Sequence, residues 1–244
     1  MTATVPPPRH ATGPLPVLRL TRDEDGERLG ALLWRAGPGW RMVSSAVLGG
    51  GIGARSWVLN AQVSHGYRRT DPDRHLAQLA AGAGLRGAGV GLMTAADVAR
   101  HGRGHDGGVG AFATAGLGVR GWAAAPVPGT AGPGRPGTVN IVAAVPVALT
   151  DAALVNAVAT ATEAKVQALL DAGYDCSGTP TDAVCVAARA PGDGEGEVHA
   201  FAGPRSLWGA RLARAVHAAV HASARAAGER PDYPDYPDYP AARD

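Results

Sequence analysis

The stretch Thr150-Asp151-Ala152-Ala153-Leu154-Val155-Asn156-Ala157-Val158-Ala159-Thr160-Ala161-Thr162-Glu163-Ala164-Lys165-Val166-Gln167-Ala168-Leu169-Leu170-Asp171-Ala172 decides the fold class. It reads as a long helix, and the apolar runs on either side of it, Val139–Val145 and Ala183–Ala188, read as strands. With Leu154 at zero and about 100° per residue, Ala161, Lys165, Val158, Leu169, Thr162, Val155 and Val166 fall in one sector, the predicted buried stripe. Asn156, Thr160, Glu163 and Gln167 fall in a polar sector between about 180° and 240°. Lys165 lies only about 20° from Leu154, inside the apolar stripe. A lysine placed there must snorkel out, find a carboxylate such as Asp182 or Asp97, or give up its proton.

Working outward, the first half carries short strand-like runs, Leu15–Leu20, Arg28–Arg35, Trp40–Leu48 and Ser56–Val63, separated by Gly, Pro or charged turns. Asp71-Pro72 opens an Ala/Leu-rich helix through Ala83, with Asp71 as cap and Pro72 in the first turn. Val90–Met93 and Val109–Ala115 are further strands, and Ser206–Ala227 is a closing helix. Strands first, then strands alternating with helices, predicts a layered α/β (α+β) single domain over 17–228 with a mixed sheet and helices packed on it. The Pro-rich residues 1–16 and the triple Pro-Asp-Tyr repeat within 229–244 read as disordered tails. The Gly/Pro loop 129–137 reads as a surface loop or a division between two lobes.

Composition narrows the function. Among 244 residues there are 50 Ala and 35 Gly but 2 Phe, so the core is built from small aliphatic groups. A formal charge of +2 provides no field that calls for nucleic acid or an anionic membrane as partner. Two cysteines, Cys176 and Cys185, fall short of a disulfide framework and form no CxxC pair, and neither a secretory signal nor a membrane span is apparent. A cytoplasmic protein is expected. Of 23 basic residues, 22 are Arg and one, Lys165, is Lys.

The candidate chemistry lies near that lysine. Cys176-Ser177-Gly178-Thr179-Pro180-Thr181-Asp182 is a dense run of hydroxyls and one acid leading into the strand Ala183–Ala188. Such hydroxyls serve as nucleophiles beside a base or simply form a turn. The glycines of Leu48-Gly49-Gly50-Gly51-Ile52-Gly53 allow close backbone approach to a ligand, or a tight turn between strands. Asn60 and Asn140, polar residues within apolar strands, each need a partner or a ligand. His217 and His221 lie beside Arg214 and Arg225 and read as a solvated face. His101 and His105-Asp106 sit in a Gly-rich segment read as a loop, where a metal clip would be unspecific, and no metal-site motif is present.

Taken together, Gly137-Thr138-Val139-Asn140-Ile141, Leu149-Thr150-Asp151-Ala152-Ala153-Leu154-Val155, Ala159-Thr160-Ala161-Thr162-Glu163-Ala164-Lys165 and Ser177-Gly178-Thr179-Pro180-Thr181-Asp182-Ala183 resemble the adenosylcobinamide amidohydrolases of cobalamin salvage. Ser44-Ser45, Gly49-Gly50-Gly51, Asn60 and Gly91-Leu92-Met93-Thr94-Ala95-Ala96 fit the same pattern, so the likeness covers about 40–220. The resemblance implies hydrolysis of the amide that joins aminopropanol to the corrin side chain, giving adenosylcobyric acid and 1-amino-2-propanol. It implies a small-molecule corrinoid as partner and no cofactor, the cobalt belonging to the substrate. Lys165, Asp182, Thr181, Ser177 and Glu163 are then the candidate catalytic residues, and Gly50, Gly51, Asn60, Thr94 and Asn140 the candidate substrate contacts. A corrinoid-binding protein without catalysis and a hydrolase of another amide are the competing readings.

Overall fold

The structure is a computed structural model and describes residues 15–125, 137–191 and 197–228. The tails expected at 1–16 and 229–244 lie outside the described residues apart from Leu15 and Pro16, as does the 129–137 loop apart from Gly137. In chain order come β1 (Leu18–Glu24), β2 (Glu27–Arg35), β3 (Trp40–Ser44), β4 (Gly51–Ala54), β5 (Trp57–Gln62), α1 (Pro72–Gly82), β6 (Val90–Thr94) and a 3₁₀ turn Val98–Arg100. After these come β7 (Gly102–Asp106), β8 (Val109–Gly116), β9 (Thr138–Leu149), α2 (Asp151–Asp171), β10 (Ala183–Arg189), β11 (Val198–His199) and α3 (Leu207–Gly228).

The mixed α/β architecture is realised as two sheets. One has the order β1-β2-β5-β6 and the other β4-β3-β10-β9-β8-β7, with β11 added beside β9. Each is mixed: β5 pairs β6 in parallel, β9 pairs β10 in parallel, and the remaining neighbours on those two paths are antiparallel. Alternation along the strands sorts side chains into three cores. Val139, Ile141, Ala143, Val184 and Val186 face α2 and α3, whereas Val142, Ala144, Cys185 and Ala187 face Leu32, Trp34, Val58 and Leu92 of the other sheet. Leu33, Leu59 and Ala61 pack on Leu76 and Ala80 of α1. The layers therefore run α1, first sheet, second sheet, α2 with α3. Leu15, placed within the amino-terminal tail on composition, is buried between the sheets.

Small residues set how closely these layers approach. A Cβ on Gly102 or Gly104 would meet the Ala219 or Ala215 carbonyl oxygen at 1.9 Å, so β7 accepts α3 against its backbone only because alternate positions carry no side chain. The segment read as a Gly-rich loop around His101 and His105 is thus a strand, and its composition records close helix packing. His101 accepts from Arg103 through Nε2 and faces the Val98 carbonyl through Nδ1, while Asp106 pairs with Arg214. Among the described residues no group of three metal-ligating side chains is present. Likewise, Gly51–Ala54, read as turn or ligand loop, forms the edge strand β4.

Two helix expectations need correction. The buried face of α2 is centred on Ala153, Ala157, Ala161, Ala164 and Ala168, which lets α3 pack tightly, so Val155 in the predicted stripe is 58% exposed. Thr160, assigned to the polar face, is buried and donates to the Ala202 carbonyl at 2.8 Å. At α1, Asp71 occupies the N-cap position but makes no side-chain cap bond; its carboxylate is held by Arg69 in a two-point pair instead. Guanidinium pairing holds the Asp71 carboxyl below its ordinary range.

Candidate functional site

Because β9 and β10 run parallel and side by side, with Ala183 opposite Asn140, their amino-terminal ends open on the same edge of the sheet. The polypeptide leaves β9, returns along α2 and re-enters at β10. The return brings Lys165, on the sheet-facing side of α2, to Asp182 immediately before β10. Lys165 Nζ lies 2.5 Å from Asp182 Oδ2, with side-chain exposures of 9% and 13%. Of the fates open to a lysine on an apolar face, pairing with a carboxylate is the one realised. Asp97, the other acid considered, caps the Ala99 amide and pairs with Arg100.

Four donors converge on Asp182. Oδ2 accepts from Lys165 Nζ and from the Thr179 amide at 3.2 Å. Oδ1 accepts from the Val139 amide at 2.8 Å and the Thr179 hydroxyl at 2.5 Å. An ionised carboxylate has about four lone-pair positions, so this set leaves none free for a further proton donor. Lys165 is in the opposite condition. An ammonium carries three N–H donors, and Asp182 is its one hydrogen-bond acceptor among the described residues. The geometry fits a carboxylate that positions and a cation that can still donate.

Gly178 makes this pair possible. A Cβ there would meet Asp182 Oδ2 at 2.2 Å and Lys165 Nζ at 2.5 Å, and its φ of +154° is one that L side chains rarely adopt. Hydroxyls surround the pair. Thr138 Oγ1 and Thr181 Oγ1 are 2.6 Å apart, and Thr181 donates to the Gly137 carbonyl at 2.9 Å. With its proton so directed, Thr181 accepts from Thr138. Thr181 is exposed, whereas Thr138 is buried. Ser177 stands apart in role: its oxygen accepts from the Ala123 amide at 2.7 Å and donates to the Gly121 carbonyl at 3.2 Å. That hydroxyl fastens the 121–123 segment to the loop, as the Gly121–Gly178 bridge does beside it.

Asn60, Thr114 and Asn140 form a second polar cluster between the two sheets, each 1% exposed or less. Asn60 Nδ2 donates to Thr114 Oγ1 at 3.0 Å, and Asn140 Nδ2 donates to Asn60 Oδ1 and to the Met93 carbonyl, both at 2.9 Å. Asn140 Oδ1 has no partner among the described groups. The free atom is an acceptor, so it suits an N–H or O–H group. As a contact for substrate it does not suit a carbonyl oxygen. Thr94 is also buried, and its hydroxyl accepts from the Ala96 amide at 3.1 Å.

Not every sequence-predicted residue joins the site. Glu163 is on the exposed face of α2, about 160° around the helix from Lys165. Gly51 pairs Ser44 in β4, three strand spacings or about 14 Å across the sheet from β9. Gly50 packs against the Ala46 carbonyl, at 2.5 Å from where its Cβ would lie. Sequence reasoning missed the parts played by Thr138, Thr179 and Gly178. The legible signal for Thr138 is its place two residues before Asn140 in an otherwise apolar strand. Neither cysteine supplies a thiolate: burial pushes Cys185 up to about 12 and also raises Cys176.

Comparison with known proteins agrees with this arrangement of motifs. The family model described as adenosylcobinamide amidohydrolase matches residues 17–232. The adenosylcobinamide amidohydrolase of Methanosarcina mazei is 30% identical over 190 residues, covering 76% of this chain and 90% of the relative. That of Halobacterium salinarum is 48% identical over 89 residues, 36% of each chain. Among solved structures, a protein of Pyrococcus horikoshii OT3 aligns with a TM-score of 0.43 and 14% identity over 85% of this chain and 83% of its own, too loose a likeness to carry an argument. The match across nearly the whole described fold, together with the relative from Methanosarcina, places the chain in the adenosylcobinamide amidohydrolase family.

Proposed function

We propose that the protein hydrolyses the amide linking aminopropanol to the corrin side chain of adenosylcobinamide, releasing adenosylcobyric acid and 1-amino-2-propanol for corrinoid salvage. The observation that carries this reading is the Lys165–Asp182 pair, built from the family-like segments and leaving a buried ammonium with undirected N–H groups. Amide cleavage needs an attacking group, a donor for the developing oxyanion and a proton for the departing amine. Asp182, saturated by four donors, holds Lys165 in place and takes no proton. Lys165 donates to the carbonyl oxygen as charge develops there, where a preorganised donor in a water-poor site counts most. Thr181, the exposed hydroxyl beside Asp182, attacks the carbonyl carbon. Its proton passes to the amide nitrogen as the carbon–nitrogen bond breaks, Lys165 remaining an ammonium throughout, and water then releases the acid from the threonyl ester and restores the Thr181 hydroxyl. Thr138 positions that hydroxyl through the 2.6 Å contact.

The cobalt enters with the substrate in this reading, and a soluble cytoplasmic setting accompanies it; among the described residues no helix is long and apolar enough to cross a membrane. Incubation with adenosylcobinamide and quantification of released 1-amino-2-propanol is the test. Stoichiometric release with the matching corrinoid acid supports the proposal. A shifted visible spectrum without product identifies a corrinoid binder instead.

A further inference from the structure

A second group of titratable side chains lies on the first sheet and takes no part in the chemistry above. Glu24 ends β1, Tyr67 lies in the loop after β5, and His75 sits in the second turn of α1. His75 is 4% exposed. Its Nε2 is 3.1 Å from Glu24 Oε1, and its Nδ1 is 3.1 Å from the Tyr67 hydroxyl. Glu24 is itself fixed by Arg22, whose Nε lies 2.6 Å from Oε2 and whose other nitrogens reach the Gln62 and Gly30 carbonyls.

The protons in this chain can be assigned by chemistry. A carboxylate only accepts, so His75 Nε2 carries hydrogen toward Glu24. In the neutral ring Nδ1 is then a lone pair, and it accepts the Tyr67 O–H. A carboxylate orients the imidazole, the imidazole holds a hydroxyl proton, and the hydroxyl oxygen keeps its lone pairs. This is the arrangement by which a protein activates a hydroxyl nucleophile. A cavity of about 350 Å³ opens beside it, lined among others by Tyr67, Ser64, Arg68, Arg69 and Asp25. The neighbouring groove, about 440 Å³, is lined by Glu24, Asp25, Arg69, His75 and Gln78.

We propose that Glu24, His75 and Tyr67 form a second reactive site, in which Tyr67 is an acyl-accepting nucleophile for small activated esters. Tyr67 Oη attacks the ester carbonyl carbon, and its proton passes to His75 Nδ1. The imidazolium so formed is held by Glu24. As the carbon–oxygen bond to the leaving alcohol breaks, His75 returns that proton to it, leaving an acyl-tyrosine and a neutral ring. Two shifts agree with this division of labour. Burial lowers His75, keeping the ring neutral and able to accept, and raises Tyr67, so proton removal belongs with bond formation. The charged groups acting on His75 are Glu24 and Arg22 from β1 and Arg69 and Asp71 from the loop; those acting on Tyr67 are Arg69, Asp71 and Glu24.

The test is acetylation of the full chain by 4-nitrophenyl acetate at neutral pH, with the rate at Tyr67 read by peptide mass spectrometry. N-acetyltyrosinamide in the same buffer is the reference phenol. Tyr67 is expected to react at least about tenfold faster than the reference, and Glu24→Gln to remove most of that advantage. Tyr67→Phe is expected to abolish labelling at that position while leaving adenosylcobinamide turnover unchanged. His75→Gln repeats the test on the base; should that buried substitution fail to fold, the partly exposed Glu24→Gln carries the comparison alone. A rate no greater than the reference, or one that folded Glu24→Gln leaves unaltered, overturns the proposal.

Discussion

Lys165 and Asp182, seventeen residues apart in the chain, meet at 2.5 Å beneath the Cα of Gly178, where any side chain would strike both. Every other donor to Asp182 comes from Val139 or Thr179, so one carboxylate ties the start of β9, the loop before β10 and the middle of α2. The site and the crossover connection are stabilised by the same bonds.

Removing the lysine tests both roles. Lys165→Met leaves a buried carboxylate short of its cation, which costs about 3–5 kcal/mol. Turnover of adenosylcobinamide is expected to fall at least about a hundredfold with the oxyanion donor gone. Chemical denaturation and product quantification on the same preparation separate the two effects; unchanged turnover in folded protein removes lysine from the chemistry.

Gly178→Ala is expected to break the pair without altering either partner. The strained backbone costs about 1–3 kcal/mol, and the 2.2 Å approach to Asp182 forces the loop outward. Gly173→Ala is the matched control, since it too has a positive φ, +88°, but meets nothing within 4 Å. Both variants should lose stability, and only Gly178→Ala should lose turnover as well.

The hydroxyl roles separate by substitution to valine. Thr181→Val should abolish product release, whereas Thr138→Val should lower it by about tenfold while leaving substrate affinity in place, since positioning acts on the attack. Ser177→Ala should reduce thermal stability by about 1 kcal/mol and spare turnover, because its bonds go to the 121–123 backbone. A Ser177→Ala variant that folds but does not turn over would exchange its assignment with that of Thr181.

Packing of α3 on β7 gives a prediction independent of the chemistry. Gly104→Ala places a methyl 1.9 Å from the Ala215 carbonyl oxygen, backbone against backbone, so no rotamer relieves it. A loss of about 3 kcal/mol or more is expected in urea unfolding.

Acid sensitivity follows from His101. Burial, the first cause, and the nearby Arg103 guanidinium lower its folded value below the ordinary 6.5. The unfolded ring therefore takes up a proton at higher pH than the folded one. The associated stability is complete above about pH 6.5 and is lost as pH falls toward the folded value. His101→Gln should flatten the pH dependence of unfolding below about pH 6.5.

Much of the fold was open to reading. The α2 segment, the strands flanking it and the closing helix lie where periodicity placed them, because long runs of Ala and Leu or of Val and Ile have few other outcomes. β7 and β4 were not legible: glycine-rich strands carry little β-branched signal, Ile52 being the one such residue in the two, and the β7 glycines serve the helix they touch. The buried face of α2 was misplaced for a related reason. Large apolar residues mark where a helix can be buried, but alanines mark where another helix comes closest.

The sequence by itself determined that Lys165 belongs among apolar neighbours, since helical periodicity is local and a single cation on that face stands out against 22 arginines elsewhere. It also carried the family likeness. Tertiary structure alone decided that Asp182 is the acid that meets this lysine, that Gly178 must be bare for them to do so, and that Ser177 holds backbone. Those outcomes depend on how two parallel strands and the helix between them are brought together, and such long-range geometry leaves no period in the chain.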